Sequence, residues 1–193
     1  MLRLFIMILN FISIISCKSK EKLSKGDLKW NPYKGGEVLV FQNNQGTTDT
    51  IFVNAIKKES VPDDPLSIFQ KYYEVLNVVV KHSNPITVNE HNYLESSFFE
   101  LSASDGHDTF VSFHLAAKGA WFYSSSSFSG KYLENMPVMT LKTKNFIYDD
   151  VIKLESQSID YYDRDEFITA LYWSKSKGYV RYDLKNGVYW ELQ

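Results

Sequence analysis

The sequence YVRYDLKNGVYWEL, residues 179–192, has the clearest strand and turn pattern of this chain. Two runs of β-branched and aromatic residues flank Asn186-Gly187, and Asn-Gly is the strongest short hairpin signal because both residues tolerate the positive φ of a type I′ turn. Residues 168–173 and a turn at residues 175–178 precede this stretch. We therefore predict a three-stranded antiparallel meander. Alternation in its middle strand places Val180, Tyr182 and Leu184 on one face and Tyr179, Arg181 and Asp183 on the other.

Short runs of the same kind extend back to residue 36, and the 13 phenylalanines and 13 tyrosines favour pleated sheets over helices. Strands are predicted at residues 37–42, 48–57, 92–102, 109–115, 120–124, 138–143, 145–155 and 166–174. In residues 66–82, near-helical apolar spacing competes with the strand-forming run Val78-Val79-Val80, so a strand is favoured and a helix stays the alternative. The predicted fold is all-β: an antiparallel, strongly curved sheet or half-open barrel, with room for one short helix.

The first 17 residues have the features of a lipoprotein signal. Arg3 provides a cationic start, residues 4–15 form an apolar run too short to span a membrane, and the small Ser16 precedes Cys17, the only cysteine. Ile14-Ile15-Ser16-Cys17 resembles a bacterial lipobox, which implies cleavage between Ser16 and Cys17 and a diacylglyceryl group on the Cys17 thiol. An ordinary secretory signal cut nearby and an uncleaved N-terminal anchor stay open as alternatives.

The predicted cleavage site sets the boundaries of the other segments of the chain. We predict a signal peptide at residues 1–16, a flexible tether rich in Lys, Ser, Glu and Gly at residues 17–34, and a single β-rich domain at residues 35–193. Removal of residues 1–16 takes away Arg3 and no acid, so the net charge goes from −2 to −3. This weak, mixed charge argues against a nucleic-acid partner, which needs a clustered basic surface.

A resemblance is carried by four runs near the end of the chain: Phe146-x-Tyr148-x-Asp150-Val151, Tyr172-Trp173-Ser174-Lys175, Gly178-Tyr179-Val180-Arg181-Tyr182 and Gly187-Val188-Tyr189-Trp190-Glu191-Leu192. They resemble the closing region of many small, uncharacterised lipoproteins of Bacteroidota-type bacteria. Together with the lipobox, the resemblance implies a curved all-β sheet on the cell envelope and no known activity.

The same group suggests a location and a modification. Its surface-displayed members carry acids directly after the cysteine, whereas Cys17 is followed by Lys18-Ser19-Lys20. We therefore expect the outer membrane, facing the periplasm, with surface exposure as the alternative. Asp49-Thr50-Ile51 is similar to a short O-glycosylation sequon of this group, which makes Thr50 a candidate site.

The sequence predicts no catalytic residue, cofactor or metal. The four histidines lack a metal-binding spacing and are expected at the surface or in hairpins: His82, His91, His107 and His114. The acidic residues between 160 and 166 depart from the EF-hand pattern and are interpreted as a solvated loop. Ser174-Lys175-Ser176-Lys177 fits the S-x-x-K pattern of serine acyltransferases but lacks its companion motifs.

The sequence features lead to three hypotheses of function. The leading hypothesis is a non-catalytic envelope lipoprotein whose sheet binds a partner protein or serves envelope maintenance. Its exposed aromatic residues would be contact anchors, although each also fits an ordinary core position: Trp121, Phe122, Tyr123, Trp173, Tyr189 and Trp190. The alternative is a periplasmic carrier of a lipid or other hydrophobic ligand, which requires an open apolar pocket. The third is a hydrolase.

Overall fold

The computed structural model describes residues 20–64, 66, 70–88, 91–117, 120–122, 127–156, 165 and 167–193. Fourteen strands occur in this part of the chain: β1 (Lys20–Glu21), β2 (Val38–Asn43), β3 (Thr48–Pro62), β4 (Tyr72–Val88), β5 (His91–Ala103), β6 (Thr109–Phe113), β7 (Ala116–Ala117), β8 (Ala120–Trp121), β9 (Phe128–Ser129), β10 (Met139–Lys142), β11 (Ile147–Glu155), β12 (Ile168–Ser174), β13 (Gly178–Leu184) and β14 (Tyr189–Leu192). A short helix, α1 (Gly130–Glu134), and 3₁₀ turns at Asp27–Trp30 and Asp105–His107 lie between them.

Twelve of these strands form one strongly curled half-barrel sheet, so the predicted all-β fold is confirmed. Its order is β10-β11-β12-β13-β14-β2-β3-β4-β5-β6-β9, antiparallel throughout, and β1 adds to β4 as a short parallel strand. β7 and β8 form a separate ladder. The order places β14 beside β2, where Glu191 pairs with Gln42. Strands from the two ends of the described chain therefore meet within the sheet.

The curl comes from long strands that contain extra residues. β3, β4 and β5 are 15, 17 and 13 residues long. The pairing leaves Asn54 of β3 and Phe98 of β5 without a partner in the ladder, and such bulges bend a strand and increase its twist. Residues 72–82 belong to β4, so the strand prediction is confirmed for that part of residues 66–82.

Aromatic rings fill the inner face of the half-barrel. Trp173 lies at the centre, where its ring stacks on Phe99 with centroids 4.7 Å apart and meets Tyr179 edge-on at 4.8 Å. The bulge in β5 lets the adjacent Phe98 and Phe99 both join this core. Offset and edge-on ring pairs add attraction to the burial of apolar area. These four side chains are completely buried.

The segment before β2 packs against the sheet, so the predicted tether is wrong for residues 20–34. Trp30 and Tyr33 are 2% and 5% exposed, and both belong to the aromatic core. The Tyr33 hydroxyl accepts a hydrogen bond from the Tyr179 amide at 3.1 Å, and it lies 2.1 Å from where a Cβ on Gly178 would stand. Two buried rings thus fix a segment whose composition is otherwise that of a linker. Residues 1–19 lie outside the described residues.

The C-terminal meander is confirmed, but its second turn differs from the prediction. β12, β13 and β14 pair antiparallel in the expected order. The Gly187 amide donates to the Leu184 carbonyl at 3.1 Å, so Lys185 and Asn186 are the central residues of the turn. Gly187 follows with φ at +82°. This is a three-residue loop with a left-handed glycine and not a type I′ turn, because the positive φ is placed after the central pair.

An extra residue in β13 overturns one predicted face. Tyr172 pairs with Arg181 and Trp173 with Tyr179, which leaves Val180 without a partner in the ladder. Tyr179 and Tyr182 consequently both join the inner core, while Val180 packs on the opposite face. The prediction that Val180 and Tyr182 share a face is wrong because strict alternation holds only where the ladder is regular.

Candidate functional site

The outer face of the sheet, opposite the aromatic core, carries a row of polar side chains. Tyr172 pairs with Arg181, Arg181 with Glu191, and Glu191 with Gln42, across β12, β13, β14 and β2. Directly paired residues project to the same face of a sheet, so these four side chains are neighbours. We call them the outer row; it crosses the junction between β14 and β2.

Arg181 is the fixed centre of the outer row. Its Nε donates to Asp183 Oδ1 at 2.7 Å and its Nη1 to Glu191 Oε1 at 3.4 Å. The guanidinium carbon lies 4.2 Å from the ring centroid of Tyr189 and 5.4 Å from that of Tyr172. Ion pairs and cation–π contacts on several sides hold the planar group in one orientation. Arg181 therefore presents a rigid, charge-compensated polar surface.

Asp183 is fully engaged in holding this arrangement. The Tyr172 hydroxyl donates to Asp183 Oδ2 at 2.9 Å, while Asp183 Oδ1 accepts from Arg181. Burial, together with the charge of Asp183, raises the pKa of Tyr172 to about 12, so this phenol keeps its proton at neutral pH. Both carboxylate oxygens of Asp183 consequently have a donor, and the group positions its neighbours.

The hairpin of β10 and β11 folds back over the outer face and forms a wall beside the outer row. Its tip is tied to β14: the Lys144 amide donates to Glu191 Oε2 at 3.2 Å, and Asn145 Nδ2 donates to Gln193 Oε1 at 2.7 Å. Its base packs into a second, small apolar cluster made of Leu141, Tyr148, Val151 and Val180. The wall is thus fixed by both polar and apolar contacts.

Between this wall and the β2–β3 turn lies a cleft of about 550 Å³, which we call the outer cleft. That volume is within the range of small-molecule binding sites. The lining residues are Gln42, Asn43, Asn44, Gly46, Lys142, Thr143, Lys144, Arg181, Tyr189, Glu191 and Gln193. None of these lining residues has an aliphatic hydrocarbon side chain. The outer cleft is therefore a polar site on a rigid floor.

A second cleft, of about 350 Å³, lies between α1 and β11, and we call it the gap cleft. Part of its wall is apolar: the rings of Phe128 and Tyr132 stack with centroids 5.9 Å apart, and Leu154 lies opposite. Tyr132 is 55% exposed. The lining residues are Phe128, Tyr132, Met136, Lys153, Leu154, Glu155 and Ser156. The gap cleft thus combines an apolar wall with two charged residues.

The predicted modification sites are placed as follows. Ser16 and Cys17 lie outside the described residues, so lipidation and signal cleavage stay predictions. Thr50 lies in β3 opposite Val40, half-buried between the buried Asp49 and Ile51. Glycosylation of Thr50 also stays a prediction.

Three of the six aromatic residues considered as contact anchors belong to the core. Phe122, Trp173 and Trp190 are buried, so that role is wrong for them. Tyr189 is half-buried and lines the outer cleft, where it contacts Arg181. The side chains of Trp121 and Tyr123 lie outside the described part of the chain.

His82 contradicts the expected surface position of the histidines, because its side chain is buried. Its Nε2 lies 2.9 Å from Ser96 Oγ, while Nδ1 has no hydrogen-bond partner among the described residues. Burial lowers the pKa of His82, which favours a neutral ring. His114 is exposed, and the side chains of His91 and His107 are outside the described set. Within that set, no group of three or more His, Cys, Asp or Glu is placed to hold a metal.

Ser174, the serine of the S-x-x-K pattern, has a structural role. Its side chain is completely buried, and its Oγ donates to Asp150 Oδ1 at 2.6 Å and accepts from the Lys177 amide at 3.1 Å. These bonds shape the turn between β12 and β13, and a substrate has no access to the hydroxyl. Of the acidic cluster at residues 160–166, only Asp165 is described.

The outer row was not predicted from the sequence. A usable signal was the alternation of Arg181 with Asp183 and of Tyr189 with Glu191, which places three charged side chains and a tyrosine on the non-core side of adjacent strands. The contribution of Gln42 depends on the pairing of β14 with β2, which no local pattern indicates.

No protein-family model, curated protein or solved structure matches this chain. In the described part of the chain, no helix combines the length and the hydropathy that a membrane crossing needs.

Proposed function

We propose that this chain is a non-catalytic cell-envelope lipoprotein, anchored through an acylated Cys17, that binds a partner molecule in the outer cleft. The observation that carries the proposal is the outer row, which is polar and rigid and contributes nothing to the aromatic core. Its location is the outer membrane, facing the periplasm. A second acyl chain makes such anchoring stable where one chain alone is marginal.

The contacts of the outer cleft support binding over catalysis. Glu191 accepts from Arg181 on one oxygen and from the Lys144 amide on the other. Arg181 is paired with Asp183 as well. Groups held in this way recognise a ligand at little cost in reorganisation, because their side chains are already ordered. A general base, by contrast, needs an oxygen or nitrogen free to take a proton.

The anchoring is tested by replacing Cys17 with alanine and following the protein through membrane fractionation. The wild-type protein should sediment with membranes and the variant should be released. Ser19→Ala is the matched control and should behave as wild type. A correctly processed Cys17→Ala protein that stays in the membrane fraction would contradict the proposal.

The binding surface is tested by photo-cross-linking in intact cells. A benzoyl-phenylalanine at Lys142, on the wall of the outer cleft, should capture a partner, whereas the same group at the exposed Lys81 in β4 should not. Equal capture at both positions, or capture at Lys81 alone, would overturn the assignment of the outer cleft.

A second candidate function, carriage of a hydrophobic ligand, is favoured by the gap cleft with its stacked Phe128 and Tyr132. The filled inner face weighs against it, because Trp173 and its neighbours occupy the space that a carrier would keep open. Native mass spectrometry of protein purified from membranes tests it: a carrier retains a lipid, and Tyr132→Glu reduces the retained amount. The third candidate is a hydrolase, and no observation on the described residues supports it.

A further inference from the structure

We infer that the ligand of the outer cleft is a saccharide whose sugar units carry carboxylate groups. This inference rests on the proposed function, since it names the ligand class of the same cleft. It follows from four properties of the lining: the lack of aliphatic surface, the neutralised charge of the floor, the nature of the remaining polar groups and the positive charge of the wall.

The lining disfavours hydrophobic ligands. Tyr189 is the one aromatic residue among the eleven residues that line the outer cleft, and none of the others is apolar apart from Gly46. A lipid chain bound there would leave amide and charged groups desolvated without partners, which costs free energy for each group. The ligand must therefore return hydrogen bonds to the lining.

The floor is also unsuited to a compact, multiply charged anion such as inorganic phosphate. Such anions are bound by several converging cationic groups. Arg181 is the cation of the floor, and Asp183 and Glu191 already compensate its charge. The other two cations, Lys142 and Lys144, are exposed on the wall. Positive charge is thus available at one side of the cleft only.

The groups that remain match a chain of hydroxyl groups. The Gln42 amide donates one N–H to the Gly46 carbonyl at 3.5 Å, and the Asn44 amide donates one to the Gly187 carbonyl at 3.4 Å. Each keeps a second N–H and an oxygen that can pair with a sugar hydroxyl, which is both a donor and an acceptor. The Gln193 amide is held by Glu191 and Asn145 and fixes the rim beside them. The three amides stand on the floor and the rim of the same cleft, spaced along β2, the β2–β3 turn and the residue after β14. Tyr189 adds an apolar ring surface for sugar C–H groups.

The positive charge of the wall favours acidic saccharides over neutral ones. Lys142 and Lys144 lie on the wall that the β10–β11 hairpin forms, and neither ammonium group has an ion-pair partner among the described residues. A carboxylate-bearing sugar at this wall gains two attractive contacts that a neutral sugar lacks. Since both lysines are exposed, this gain weakens as salt increases.

The experiment uses the full-length acylated protein in lipid nanodiscs and calorimetric titration with five hexasaccharides: maltohexaose, cellohexaose, chitohexaose, hexagalacturonate and hexamannuronate. We expect at least one uronate to bind, and to bind more tightly than every neutral hexamer. Gln42→Ala should weaken this binding about tenfold, because two hydrogen bonds to the amide are lost. The matched control Gln45→Ala, at an exposed residue of the adjacent β2–β3 turn that does not line the cleft, should leave the binding unchanged.

Lys142→Gln should reduce the preference for uronates, and Lys142→Gln combined with Lys144→Gln should remove it, while any neutral binding is spared. Lack of binding by all five hexamers would overturn the inference, and so would binding that Gln42→Ala leaves unchanged. If the Lys142 cross-link captures a protein while no hexamer binds, the saccharide is wrong and the proposed function stands. If the Cys17→Ala protein stays in the membrane fraction, or if cross-linking is stronger at Lys81 than at Lys142, the proposed function is wrong whatever the saccharide titrations show.

Discussion

The inner and outer faces of β12 and β13 place neighbouring residues of the same strand in opposite environments, one apolar and buried and the other polar. Trp173 and Tyr179 are completely buried among rings on the inner face. Tyr172 and Arg181, next to them in sequence or nearly so, form a polar network that reaches solvent on the outer face. Core packing and the proposed binding therefore depend on separate side chains within the same strands, and each can be changed with the other left largely intact.

The largest expected effect comes from deleting the centre of the inner face. Trp173→Ala should lower the free energy of unfolding by about 3–5 kcal/mol, because a large buried ring leaves a cavity that its neighbours fill only in part. Tyr172→Ala, one residue away on the outer face, should cost about 1–2 kcal/mol. Urea unfolding followed by tryptophan fluorescence and circular dichroism measures both. Equal losses of stability from the two variants would contradict the assignment of stability to the inner face.

A second test concerns the packing of the segment at residues 20–34 onto the inner face. Gly178→Ala should cost about 2–3 kcal/mol, because φ is +83° and a Cβ would stand 2.1 Å from the Tyr33 hydroxyl. Gly187→Ala has nearly the same φ but no atom within 4 Å, so it should cost about 1 kcal/mol. The difference between the two melting temperatures isolates the contact with Tyr33. Its absence would show that this segment does not pack as described.

Tyr33→Phe tests the same contact more gently. The variant keeps the ring but leaves the buried Tyr179 amide without its acceptor, so about 1–2 kcal/mol of stability should be lost. Tyr132→Phe is the matched control, since the Tyr132 ring is mostly exposed, and it should change stability by under about 0.5 kcal/mol. Hydrogen exchange of the Tyr179 amide should accelerate in the first variant only.

The smallest expected effect depends on pH and concerns Asp150, at the rim between the two faces. Partial burial opposes the shift, but hydrogen bonds from Ser174 and Ser176 hold the pKa of Asp150 below its usual value. A carboxyl group with a depressed folded-state pKa stabilises the fold above its unfolded pKa of about 3.9 and loses this contribution as pH falls through the folded value. Asp150→Asn should therefore cost about 1 kcal/mol or less at pH 7 and less below about pH 4.

Unfolding at pH 7 and at pH 3 measures this difference. Asp149→Asn, at an exposed neighbouring position, should show no comparable pH dependence. A cost of Asp150→Asn that is constant across the two pH values would contradict the role given to the Asp150 carboxylate.

Local sequence patterns were sufficient for the main strands and the curl of this protein, but not for the two-residue strands β1, β7 and β9. The meander of β12 to β14 follows from alternation and an Asn-Gly pair, and the long strands β3 to β5 follow from their β-branched and aromatic content. The patterns failed where one residue changes the geometry. Val180 changes face because β13 has an extra residue, and Gly187 shifts the turn by one position.

The candidate site could not be predicted because it depends on contacts between distant segments. Gln42 and Glu191 become neighbours only when β14 pairs with β2, and Lys144 reaches Glu191 only when the β10–β11 hairpin folds over the outer face. The anchoring of residues 20–34 has the same origin, since Trp30 and Tyr33 find their partners in the core formed by much later strands. The amino-acid composition of a segment does not indicate which distant residues that segment will contact in the fold.

The pairing of β14 with β2 also has a consequence for the order of folding. The strands β2 to β6 pair with their neighbours in sequence, and so do β10 to β14, so each of these two halves can assemble from local hairpins. Until β14 docks on β2, each of these two strands exposes an unpaired edge, and such edges are templates for aggregation. Closing a contact between segments so far apart in the chain is slow, because the loop entropy is lost before the contact is gained. The docking of Tyr189–Leu192 on β2 therefore determines how long the two unpaired edges stay open to aggregation during folding.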